Sequence, residues 1–194
     1  MIATLIIIFI ALCVALALTT VDRGKPRMFA RAARLVVIAA TVAAFGYWFF
    51  QRSFAGLRED ALSVQVINRL PQPMDFYSIR VNKDGNLAKH LGVIHPDYYR
   101  IEYFNMEDSD EFWLVGFLGN DRVAYFSQHR VLNKNEDQLV EVNNYINQSQ
   151  KLSTKAARQI AELQATNVRE AIWVTLDLLL LFLNTVLFLR RKAK

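Results

Sequence analysis

One cysteine, four prolines and seven glycines in 194 residues leave little room for several kinds of protein. Cys13 stands alone, so the chain can close no intramolecular disulfide and is not a disulfide-stapled scaffold. The glycines form neither a G-x-G-x-x-G nor a G-x-x-x-x-G-K-[ST] pattern, which excludes the usual phosphate-cradling loops. No serine sits in a nucleophile-elbow frame, and none is placed with a histidine in a recognisable catalytic order. The most consequential lack is charge. Ile2 to Leu18, Leu35 to Phe50 and Ala171 to Leu189 together hold a single charged side chain, Asp177.

Those three runs define the class. Their 17, 16 and 19 residues, at about 1.5 Å of rise each, approach the ~30 Å of a hydrocarbon core. The middle run lengthens by half a turn through Ala32 and Ala33 if Arg34 snorkels to the interface. The chain is therefore expected to be a membrane protein with transmembrane helices at 1–18, 35–50 and 171–189. Orientation follows from the flanks. The loop at 19–34 carries Arg23, Lys25, Arg27, Arg31 and Arg34 against Asp22, and the tail at 190–194 carries Arg190, Arg191, Lys192 and Lys194. Both are expected in the cytoplasm, whereas residues 51–170, with 14 basic and 16 acidic side chains, belong outside. The net charge of +5 then reports topology and not nucleic-acid binding. Trp48 and Trp173 fall where the second and third spans meet the outer interface, the place for amphipathic rings, with Arg34 as the anchor on the inner side. The first run lacks a basic n-region, so it reads as a retained span with its N-terminus outside and not as a cleaved leader.

The outer segment reads as a small α+β extracytoplasmic domain, an antiparallel sheet of about five strands at 51–136 followed by a helical stalk at 137–170. Alternation at Leu62, Val64 and Val66, at Tyr77, Ile79 and Val81, and at Tyr99, Ile101 and Tyr103 marks strands. Phe112 to Leu118 and Arg122 to Gln128 form a hairpin through Gly119 and Asn120, which tolerate positive φ. Beyond Gly119 there is no glycine and beyond Pro96 no proline, so nothing stops a helix from near Asp137. Its apolar stripe at Leu152, Ala156, Ile160 and Leu163 has helical spacing, with a break near Ser149 to Ser153 as the alternative to a continuous stalk.

Candidate chemistry is sparse. His90, His95 and His129 lack diagnostic metal spacing, and the first two lie across an expected loop. Glu107, Asp108, Asp110 and Glu111 lack the glycine and distal glutamate of a calcium loop and read as a solvated turn. Ser127 and His129 share a strand face, a pairing common by chance. No metal, cofactor or catalytic residue is expected. The spans are more informative. Ala11 and Ala15 in the first, and Ala39 and Ala43 in the second, have the small-xxx-small spacing that lets helices approach closely, so these two spans are expected to pack as a hairpin. In the third, Glu170, Asp177, Asn184 and Arg191 recur every seven residues. Seven residues turn about 700°, so all four follow one slowly drifting line, with Asp177 and Asn184 as the helix–helix contacts. Contact surfaces without chemistry point to a non-catalytic accessory or scaffold subunit of a bacterial inner-membrane assembly, meeting the lipid bilayer and an integral-membrane protein partner. The alternative is an extracytoplasmic ligand sensor or an immunity-type protein.

Overall fold

A computed structural model describes residues 2–20, 26–54, 62–82, 85–106, 108–119 and 122–190. The chain divides into two compact units, Met1–Ser53 with Ala165–Lys194, and Phe54–Gln164. Among the described residues three helices are long and apolar enough to cross a membrane: α1 (Ile2–Ala17, followed by a 3₁₀ turn at Leu18–Thr20), α2 (Pro26–Phe54) and α3 (Gln150–Arg190). Helix α2 begins nine residues before the run at 35, so 26–34 is helix where a loop was expected. Pro26 explains the start, since proline at the first helical position loses no hydrogen bond and presets φ. The rest of the basic loop, 21–25, and the tail at 191–194 lie outside the described residues.

Among the described residues the second unit is an α+β fold with seven strands in two sheets. The first sheet has the order β4-β1-β7, from β1 (Leu62–Asn68), β4 (Tyr99–Phe104) and β7 (Gln138–Val142). The second has the order β3-β2-β5-β6, from β2 (Met74–Val81), β3 (Leu87–Ile94), β5 (Glu111–Leu118) and β6 (Arg122–Arg130). Among the described strands every pairing is antiparallel except β1 with β7, which is parallel. The expected β5–β6 hairpin is present, closing at Leu118↔Arg122 with Gly119 at φ 69°, while Asn120 lies outside the described residues.

Two hydrophobic layers organise this unit. Between the sheets lie Leu62, Val64, Val66, Phe104, Val140 and Val142 from one, and Met74, Phe76, Leu91, Phe112 and Leu114 from the other. On the far side of the second sheet, Tyr77, Ile79, Trp113, Val115 and Phe126 pack against Ala156 and Ile160 of α3. Strand β5 is therefore covered on both faces, which is why Phe112 to Leu118 is apolar without alternation. Gly116 faces the first layer so closely that a Cβ would stand 2.5 Å from Met74 Cε and 2.9 Å from Phe76 Cε1. The turn after β1 is held by Asn68, 0% exposed, whose side chain donates to Gln72 O and Ile94 O and accepts from Leu70 N at 2.8–3.0 Å.

Two expectations about elements are corrected. Residues 138–142 form β7 and not the start of a helical stalk, because β1 offers a parallel edge and Val140 and Val142 enter the layer between the sheets. The helix starts at Gln150, where Ser149 Oγ accepts the Leu152 N–H at 3.3 Å as an N-cap, and runs unbroken to Arg190. Residues 87–94, including His90, are strand β3 and not a loop. Gly92 with φ 94° and a register shift at Phe76/Tyr77 blur its alternation.

Candidate functional site: a polar seam on the apolar helices

Within the first unit the inward faces follow heptad-like spacing: Leu5, Leu12 and Ala15 on α1, Ala30, Arg34 and Thr41 on α2, and Asp177 and Asn184 on α3. A polar residue every seventh position of α3 stays on one face because seven residues fall only about 20° short of two turns. Asn184 is 0% exposed and its Nδ2 donates to the Leu12 carbonyl at 3.1 Å and to the Leu180 carbonyl of its own helix at 3.0 Å. Arg34, 2% exposed, donates from Nη2 to the Asn184 backbone carbonyl at 3.1 Å, and its guanidinium lies 5.7 Å from the Phe188 ring centroid. One residue of α3 thus receives a bond from α2 and gives one to α1. In an apolar surrounding, an amide or guanidinium left without acceptors would cost on the order of several kcal/mol, because no water is there to take the lost bonds.

Asp177 is also 0% exposed, yet neither carboxylate oxygen has a hydrogen-bond partner among the described residues, and the same holds for Asn184 Oδ1. Trp173, one turn before Asp177, is half-buried and meets Phe9 edge-on with ring centroids 5.5 Å apart. Trp48 is half-buried and lines a cavity of about 240 Å³ between α1 and α2 with Leu5, Ile8 and Phe45.

The placement of the other expected contact residues is mixed. Ala15 is buried and Ala11 half-buried on α1, but Ala39 and Ala43 lie on the exposed face of α2. The face of α2 that packs is the one carrying Ala30, Arg34 and Thr41, because satisfying the guanidinium turns that side inward and rotates the alanine stripe out. Arg34, read from the sequence as an interface anchor, is packed in the seam for the same reason.

In the second unit, alternation brings together side chains that are far apart in sequence. His90 Nε2 is 2.6 Å from Asp75 Oδ1, its ring stacks on Tyr77 at 4.4 Å, and the Tyr77 hydroxyl accepts from Gln164 Nε2 at 2.8 Å. Burial, with Asp75 nearby, pushes the Tyr77 hydroxyl above its ordinary range. Ser127 Oγ lies 2.7 Å from His129 Nε2, and His129 stacks on Phe112 at 4.9 Å. Burial holds the His129 imidazole below its ordinary pKa, favouring the neutral ring. Ser127 is only 2% exposed. The antiparallel registers Tyr77↔His90 and Phe112↔His129 bring the stacked rings together, whereas the Ser127–His129 contact follows from their two-residue spacing on β6, which the sequence shows. His95 sits edge-on to Tyr98 at 6.3 Å. Of the acidic cluster, Asp110 pairs with Lys134 at 2.9 Å and Glu111 accepts the Trp113 Nε1–H at 2.6 Å, while Glu107 lies outside the described residues. Among the described residues no group of three or more His, Cys, Asp or Glu is placed to hold a metal ion. Comparison with protein-family models, with curated proteins and with solved structures gave no match.

Proposed function

We propose that the protein is a non-catalytic accessory or scaffold subunit of an inner-membrane assembly. Its three apolar helices cross the bilayer, with the N-terminus and residues 51–170 outside and the basic flanks and C-terminus in the cytoplasm. The observation that carries the subunit reading is the outer face of the β4-β1-β7 sheet. Register places Tyr99 beside Ile67, Tyr103 beside Ser63, and Ile101 beside Gln65, which in turn pairs with Leu139. Tyr99 and Leu139 are each 61% exposed, Tyr103 51% and Ile101 42%. Single exposed apolar residues are ordinary, but four large ones in adjoining register positions make the kind of patch that marks a protein contact. The partner that suits it is an integral-membrane protein with an apolar surface on the same side.

Topology is tested with a Cys13→Ser background carrying Arg27→Cys or Lys134→Cys. An impermeant thiol reagent on intact cells should label position 134 and leave 27 protected, and the opposite pattern would reverse the orientation. The subunit reading is tested by purification in mild detergent with mass measurement. Wild type should bring a stoichiometric membrane partner, and the paired substitution Tyr99→Lys with Ile101→Lys should lose it without lowering the thermal transition. A lone protein that binds a soluble ligand instead would overturn the subunit reading in favour of a sensor.

A further inference from the structure

The start of α2 and the end of α3 lie at the same end of the helix unit. Arg34 reaches the Asn184 carbonyl and lies by the Phe188 ring, and Asn184 donates to the Leu12 carbonyl, so these residues share one level. Trp173 meets Phe9 and Asn184 meets Leu12, so α3 runs in the direction of α1. Ala44 to Gln51 of α2 line a cavity with Thr4, Leu5 and Ile8, which makes α2 antiparallel to both. Its first turns therefore continue past the level of Leu12, on the side where α3 ends. Arg31 and Arg27 lie three and seven residues beyond Arg34, about 4.5 and 10.5 Å, and Arg190 lies two beyond Phe188, about 3 Å. Tertiary structure thus gathers three guanidinium groups from two distant parts of the chain.

Arg27, Arg31 and Arg190 are exposed, and none is in an ion pair among the described residues. No described residue of α1 or α2 is acidic, and neither is any of α3 from 178 to 190. Asp22 stands beside Arg23 in the sequence, outside the described residues. The anion that balances this cluster must come from outside the helices. Met28 and Phe29, 80% and 78% exposed, share the first turn of α2 with Arg27. Away from the seam that holds Arg34, the apolar surface of α2 begins at Ala32 and that of α3 ends at Leu189. Arg31 and Arg190 then stand about 1.5 Å beyond the hydrocarbon and Arg27 about 7.5 Å, within a headgroup layer roughly 5–8 Å deep on each side. Cations at phosphate depth beside two uncovered apolar side chains suit a lipid better than a soluble anion, which would leave Met28 and Phe29 in water.

We propose that this end of the helix unit binds an anionic phospholipid, its phosphate held by Arg27, Arg31 and Arg190 and its glycerol and upper acyl region against Met28 and Phe29. The planar guanidinium fork fits pairs of phosphate oxygens, and each cation near an anionic surface adds to the attraction. The inference rests on the reading that the three helices cross a bilayer and is independent of the subunit role.

The full-length protein, freed of lipid in detergent micelles, is titrated with phosphatidylglycerol, with phosphatidylcholine of the same chains and with soluble glycerol phosphate, and bound molecules are counted by native mass spectrometry. Phosphatidylglycerol should bind about tenfold more tightly than phosphatidylcholine, and glycerol phosphate should not bind at concentrations that saturate the lipid. The triple replacement Arg27→Gln, Arg31→Gln and Arg190→Gln, checked for an unchanged thermal transition, should bring phosphatidylglycerol down to the level of phosphatidylcholine. Each single replacement should lose part of the preference, so the reading does not depend on the triple variant folding. Lys151→Gln with Lys155→Gln and Arg158→Gln removes the same charge from the exposed face at the start of α3 and should leave the preference intact. Equal binding of the two lipids, equal losses from both triple variants, or glycerol phosphate binding as tightly as the lipid would each overturn the assignment. Alkaline washing of membranes reads the spanning helices separately: release of the protein would overturn them and the inference together, whereas a retained protein without lipid preference would overturn the inference alone.

Discussion

Ending the β-rich unit at residue 150 should abolish its cooperative unfolding, whereas a fragment carried on to Gln164 should regain it. Read from sequence, the strands at 59–150 look sufficient on their own, but the second sheet is apolar on both faces. Without α3 it would leave Tyr77, Ile79, Trp113, Val115 and Phe126 uncovered on one side. Leu152, Ala156, Ile160 and Leu163 are the side chains that cover them. Fully burying a large aliphatic side chain is worth about 1.5–3 kcal/mol; Ile160 is fully and Leu152 and Leu163 are partly buried, so losing them with Ala156, and exposing the sheet side chains beneath, costs on the order of 5 kcal/mol. That equals the whole stability of a marginal domain. Thermal melts followed by Trp113 fluorescence would decide it, since Trp113 is 4% exposed beneath the helix. In the full chain Ile160→Ala should lower the midpoint, at a cost of about 2–5 kcal/mol, and a cooperative melt of the shorter fragment would show that the helix is dispensable.

Opposite signs are expected from two substitutions only seven residues apart on α3. Asn184→Leu removes the bond to the Leu12 carbonyl and should loosen the helix unit by about 0.6–2 kcal/mol. Asp177→Leu removes a buried carboxylate whose oxygens have no partner among the described residues, and leucine inserts better than aspartate by up to about 3–4 kcal/mol on insertion scales. The Asp177 variant should therefore insert at least as well as wild type and resist detergent unfolding at least as well. Resistance to a graded series of denaturing detergent reads both variants side by side. If Asp177→Leu weakens the unit as Asn184→Leu does, Asp177 makes a contact that this arrangement of helices does not include. Retention of a co-purifying partner should be followed in the same samples, because loss of the partner with an intact helix unit would place the role of Asp177 between proteins.

The amino-acid sequence by itself determined the three long apolar helices and the presence of strands around 62–68, 74–81, 99–104 and 111–130, because both signals are local. An apolar run of 16 to 19 residues with at most one charged side chain needs no neighbour to be recognised, and period-two alternation declares a half-buried strand. It also determined which side of α3 is special, since a polar residue every seventh position stays on one face of any helix. Tertiary structure decided what those features meet. Residues 138–142 become β7 because β1 offers a parallel edge and Val140 and Val142 enter the layer between the sheets, a gain that helical propensity cannot foresee. Arg34 turns inward because the Asn184 carbonyl is there to receive it, and that rotation carries Ala39 and Ala43 to the outside. The His90–Asp75 pair and the stacking of His129 on Phe112 depend on the β2–β3 and β5–β6 registers. A one-residue change of register reassigns every face of a strand, so these contacts exist only once the sheets have formed.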